Sequence, residues 1–206
     1  MKTIIRMSLV AVAMIFCVAV NAQVSLGVKA GVNLSNYGGD IDDTDAKAGF
    51  NVGLTAEFGL PLTSMYILSG LELNTKGAKY EEGGYKLTSN AMYLQLPVHF
   101  GYRISALETF GVSFHAGPYI AYGIGGKTKI EGVKFDTFGD DGLKEFDFGL
   151  GLGVNAEFSK LSVGIGYDFG LANIARNIEM EIGDLNLKSD VKVRNMNAYL
   201  SVGYKF

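Results

Sequence analysis

Cysteine, proline and positive charge are all scarce in this chain. One cysteine and three prolines occur in 206 residues. Cys17 lies in an early apolar stretch, with bulky Phe16 before it, which fits lipid-anchor processing poorly, and as the sole cysteine it builds no disulfide framework. A chain without disulfides is held together by its fold alone, which excludes a small stapled scaffold. The formal net charge is −3, and a chain of that sign is not built to bind nucleic acid. Long apolar runs are missing too. The one present, Leu9 to Val20, falls short of the about 20 residues a membrane-spanning helix needs. Lys2 and Arg6 precede it, and Val20-Asn21-Ala22 supplies small residues for a cleavage site. Residues 1–22 are therefore expected to be a signal peptide cut before Gln23, with a single domain from 23 to 206. Removing Lys2 and Arg6, with no acidic residue beside them, takes the charge from −3 to −5.

Glycine is abundant, at 28 residues, and charge is low, which argues against both disorder and helical bundles. The dominant signal is alternation of period two. From Val24 to Leu34 the even positions are Val, Leu, Val, Ala, Val and Leu, against Ser25, Gly27, Lys29, Gly31 and Asn33. The same pattern recurs around Phe50–Phe58, Met65–Leu73, Met92–Tyr102, Phe110–Tyr122, Phe146–Phe158, Leu161–Phe169 and Met196–Phe206. Strands of roughly ten residues cross a bilayer at the usual tilt. The connections alternate as well: Leu60–Ser64, Arg103–Glu108 and Ser159–Lys160 are short, whereas Ser35–Ala48, Gly77–Leu87, Gly125–Glu145 and Ala172–Asp190 are long and polar. The expected fold is all-β, an eight-stranded antiparallel up-and-down transmembrane β-barrel.

A soluble barrel would alternate too, but its outer face would be charged. Here the polar face is mostly Gly, Ser and Asn with sparse acids, which suits a narrow lumen filled by side chains. The apolar face carries aromatics toward both strand ends. Phe58, Tyr102, Phe110, Phe158, Tyr204 and Phe206 fall at the short-turn end, and Phe50, Tyr122, Phe146 and either Tyr167 or Phe169 at the other, as interfacial girdles would.

Several segments resemble the PorT-like outer-membrane β-barrel family: GVKAGVNLSN from Gly27, LELNTKGAKY from Leu71, YLQLPVHFGYRI from Tyr93 and HAGPYIAYGIGG from His115. FDFGLGLGVNAEF from Phe146, VGIGYDFGLANI from Val163 and NAYLSVGYKF ending at Phe206 extend the resemblance over nearly all of the chain after residue 22. It implies residence in the outer membrane of a Gram-negative bacterium, among outer-membrane lipid. It also implies recognition of the terminal Phe206 by the barrel-assembly machinery. It brings no catalytic motif, and no cofactor or metal is expected.

The candidate chemistry lies on the polar face. Glu57, Glu72, Asp147, Glu157 and Asp168 are expected to pair with Lys29, Arg103 and Lys205, because unpaired charge in a confined interior is costly. His99 and His115 join that network. Ser113 and His115 suggest a nucleophile with its base, but at i and i+2 of one strand they stand about 6–7 Å apart, too far for a direct bond. A cross-strand partner, such as Glu72 or Asp168 for His99, is left open. Asp40, Asp42, Asp43 and Asp45 supply oxygens of the kind calcium takes, but the EF-hand spacing fails, with Asp45 at the turn-glycine position and Asn51 at the final glutamate. A solvated acidic loop is expected instead. Ile178, Met180 and Ile182, then Leu185 and Leu187, read as a hairpin extending the last two strands, with an edge able to recruit a surface protein partner. Pro97 and Pro118 each remove a ladder donor, so bulges or irregularity are expected there. The favoured function is a non-enzymatic anchor with interacting loops. The alternatives are a small-solute channel or secretion-associated component, and a lipid-modifying barrel enzyme.

Overall fold

The structure, a computed structural model, describes residues 23–40, 44–82, 85–107, 109–130, 133–138, 142–175, 178–182, 185–189 and 192–206. The expected signal peptide at 1–22, the loop carboxylates Asp42 and Asp43, and Glu108 lie outside these residues. The strands in chain order are β1 (Gln23–Gly39), β2 (Asp45–Gly59), β3 (Met65–Lys76), β4 (Ala78–Glu82), β5 (Tyr85–Thr88), β6 (Ala91–Leu107) and β7 (Phe110–Gly125). They continue with β8 (Lys127–Ile130), β9 (Val133–Asp136), β10 (Phe146–Phe158), β11 (Leu161–Gly170), β12 (Ile178–Ile182), β13 (Leu185–Ser189) and β14 (Val193–Lys205).

The eight long strands pair antiparallel in the order β1-β2-β3-β6-β7-β10-β11-β14, and β14 returns to β1, closing the barrel without an edge. Register follows the alternation. Val28 stands between Tyr204 and Leu54, and Gly27 between Lys205 and Thr55, so the apolar set stays on one face around the whole circumference. That face points outward. Leu54, Phe100 and Ile165 are each more than 60% exposed, and comparable residues come from every stave. Such a continuous apolar belt is stable only against hydrocarbon. Inside, by contrast, the buried residues are largely polar: Asn33, Asn51, Glu72, Gln95, His99, Asp147, Asp168 and Asn197.

The staves are longer than ten residues in most cases. β1 and β6 have 17 each, and β11 is the shortest with 10. Arg103–Glu108 is not a connection: β6 runs on to Leu107, which places Arg103 inside the barrel wall. The prolines bring the expected local irregularity but no bulge. The β6–β7 register on the two sides of Pro97 and Pro118 is continuous, with Pro97 opposite Tyr119 and Phe100 opposite Ala116, and only the pairs between them are missing. The actual register shifts fall at Met92/Tyr93 and Ser105/Leu107, near the barrel rims.

Three of the long connections contain sheet, and two of them combine. β4, β5, β8 and β9 form an antiparallel arm above the barrel, joined to the end of β2 through Asp45–Lys79 and Ala46–Ala78. The chain enters this arm at Gly77 (φ 151°) and Gly126 (φ 147°), a backbone region that side chains other than hydrogen rarely adopt. The short turns use the left-handed region instead at Leu62 and Ser159.

Candidate functional site, a closed polar lumen beneath an outer arm

The inward side chains stack in three levels. At the short-turn end, Arg103 from β6 donates from Nη2 to Glu57 (2.7 Å) and from Nε to Glu157 (2.8 Å). Lys205 from β14 donates to the same two carboxylates at 2.7 and 3.1 Å. Ser113 Oγ donates to Glu157 at 2.6 Å, and the Arg103 guanidinium lies 4.8 Å from the Tyr66 ring centre. Two acids and two bases thus neutralise each other across the mouth.

At mid-height Lys29 meets Glu72 at 2.6 Å and lies 5.2 Å from the Tyr199 ring centre. His99 and His115 stack with centroids 5.3 Å apart. His115 Nδ1 is 3.4 Å from the Asn155 amide, which also reaches Ser113. Ser113 is therefore bonded to Glu157 and Asn155, with no contact to His115 that would activate it. Asp168 does not meet a lysine or arginine among the described residues. It accepts from Gln95 (3.2 Å) and Asn197 (3.4 Å). His99 Nε2 and Asp168 Oδ1 both come within 2.9 Å of the point a Cβ on Gly151 would occupy.

The third level depends on Lys76, which is absent from the sequence candidates. Its ammonium is fully buried, 3.4 Å from Asp147, with Tyr119 and Tyr93 ring centres at 4.5 and 5.4 Å. Asp147 also accepts from Asn195 (2.9 Å) and Tyr119 (3.3 Å). So neither Asp147 nor Asp168 pairs with Lys29, Arg103 or Lys205. A signal for Lys76 exists in the sequence, since it continues the inward series Glu72, Asn74, Lys76. It is easily overlooked because the apolar half of the third strand's alternation stops at Leu73.

Above this level the outer segments close the barrel. Phe138 meets Tyr93 edge-on at 5.3 Å, over Ala91, Tyr119 and Ala121. Ile174 is completely buried beside Ala172, Ala175 and Val193, and its carbonyl accepts from Lys144 N. Among the described residues a part-open pocket of about 60 Å³ lies in the lumen, lined in part by Lys29, Tyr66, His115 and Tyr199. That pocket has room for a few ordered waters.

The remaining sequence candidates sit at the ends. Asp40 Oδ2 accepts from Lys192 N at 3.0 Å, so it pins the backbone, while Asp45 stands opposite Lys79. Among the described residues no group of three or more His, Cys, Asp or Glu could hold a metal ion. Ile178–Ile182 and Leu185–Ser189 pair antiparallel, Ile178 opposite Ser189 and Ile182 opposite Leu185. They form a separate sheet and do not prolong β11 and β14, because Leu171–Ala175 folds over the rim between β11 and β12. Phe206 is exposed, its N–H bonded to Leu26 O and its ring beside Tyr204.

This arrangement of apolar belt, polar filling and closed staves coincides with a match of residues 21–176 to the outer membrane protein beta-barrel domain family. The chain belongs to that family. In outer-membrane β-barrels generally, short turns lie on the periplasmic side and long connections, such as those that form the arm, on the outer side. Neisserial surface protein A is similar in fold, at 12% identity and TM-score 0.46, covering 88% of this chain and 97% of that one. Ail, the attachment invasion locus protein of Yersinia pestis, is similar at 15% and 0.47, covering 88% and 98%. A major outer membrane protein from Thermus thermophilus is similar at 17% and 0.45, covering 89% and 100%. No curated protein matches significantly.

Proposed function

We propose that this barrel is a PorT-like, non-enzymatic surface protein of a Gram-negative outer membrane, exported by the signal peptide at 1–22, with the staves as anchor and the outer segments as working parts. The observation that carries this reading is the closed lumen. The charges of its three levels pair with one another except Asp168, which the Gln95 and Asn197 amides hold, and Phe138 and Ile174 cover the outer mouth. Inward charges spent on each other stabilise a plug more readily than they select a passing ion. The absence of a Ser113–His115 contact likewise supports a role without hydrolysis. Partner capture then falls to the arm and to the β12–β13 hairpin.

The test is single-channel recording of the refolded protein in a planar bilayer, with heat-dependent gel mobility verifying the barrel, followed by cross-linking from the cell surface. A folded, silent barrel that cross-links to a surface protein is the expected result. Reproducible conductance steps would give first place to the small-solute channel.

A further inference from the structure

The arm carries a row of lysines that neither the anchor role nor the lumen uses. Strand pairing sets Lys79 opposite Thr88, Thr88 opposite Lys129, and Lys129 opposite Lys134, so all four side chains share one face. All three lysines are exposed, while Ala78 and Ser89, their neighbours along the chain, are buried on the other face. With strands about 4.8 Å apart, the row spans about 15 Å.

Local acids stand against only one end of it. Asp136 is held by Lys127 at 2.8 Å, and Asp45 lies at the far end beside Lys79. Lys129 and Lys134 face each other directly, with no carboxylate of a described residue in ion-pair contact with either. Like charges directly opposite on paired strands destabilise the pair. A sheet that keeps them gains from an anion with more than one charge.

Height selects the kind of anion. Ile124, half exposed, is the last outward apolar residue of β7, and Lys129 follows five positions later. At about 3.3 Å per residue Lys129 therefore stands at most about 17 Å along the chain from the hydrocarbon boundary, within reach of the outer leaflet's surface. Lysine binds phosphate as a flexible point charge, and the Thr88 hydroxyl adds a neutral donor between two such charges.

We infer that the Lys79–Thr88–Lys129–Lys134 row is a binding site for the phosphate groups of a phosphorylated glycolipid in the outer leaflet. It fixes the arm to the membrane surface and holds it beside the barrel.

The test places the refolded full chain in phosphatidylcholine nanodiscs and titrates fluorescent diphosphoryl lipid A. Wild type is expected to bind, and Lys129→Gln with Lys134→Gln to weaken binding about tenfold or more, since each lysine near an anionic surface contributes comparably. Lys160→Gln, at the opposite end of the barrel, is expected to bind as wild type does. Gel mobility establishes that each variant folds. Equal affinity of the double variant, or equal binding of dephosphorylated lipid A, would overturn the site. Soluble pyrophosphate binding as tightly in lipid-free detergent would overturn the lipid as its source.

Discussion

At the scale of single residues, the barrel interior is built by pairing each large ring with a missing side chain. Tyr66 stands directly opposite Gly101, Tyr199 opposite Gly166 and Tyr119 opposite Gly149. A Cβ on Gly101 would lie 2.1 Å from the Tyr66 ring, and one on Gly166 2.3 Å from that of Tyr199. Gly101→Val is accordingly expected to lower unfolding stability by about 1–3 kcal/mol through overpacking. Combining it with Tyr66→Ala should cost less than the sum of the two, measured by urea unfolding in detergent. The Lys76–Asp147 pair gives a second prediction. Both side chains are fully buried, so Asp147→Ala strands an ammonium in a dry interior and should cost about 3–5 kcal/mol. Replacing both, Lys76→Met with Asp147→Leu, should cost far less, and equal losses in the two variants would contradict the pairing.

At the scale of elements, alternation marked all eight staves and their faces, because one side must meet lipid and the other must not. It did not mark where β6 ends, since Arg103 to Leu107 looks polar enough for a turn until Glu57 and Glu157 are seen to receive Arg103. Nor did it reveal the arm, whose strands have only four or five residues each and whose partners are distant in sequence. The prolines keep register because the neighbouring pairs hold the staves together: Pro97 remains opposite Tyr119 and Pro118 opposite Leu150. Because β12 and β13 pair only with each other among the described residues, deleting Ile178 to Leu187 should leave the heat-dependent gel shift unchanged. Loss of that shift would show that the hairpin supports the barrel. Reduced surface cross-linking with the shift intact is the outcome that agrees with a partner-binding hairpin.

At the scale of the whole molecule, closure is distributed over several levels. Replacing Phe138 and Ile174 with alanine removes the outer cover only, leaving Lys76–Asp147, Lys29–Glu72 and the Arg103–Lys205–Glu57–Glu157 group below it. This double variant should fold, be less stable by about 2–5 kcal/mol for the buried isoleucine alone, and still show no conductance in a planar bilayer. Steps appearing in it would mean that the cover is the sole seal. The sequence by itself determined that this chain is a membrane barrel with a polar filling, because strand period and the chemistry of each face are local properties that survive in a linear pattern. Which charges meet was decided only by the tertiary structure. Lys76 finds Asp147 across 71 residues and Lys205 finds Glu57 across 148, distances set by the stagger of staves around a closed ring. That stagger is a property of the ring as a whole, and no single strand carries it.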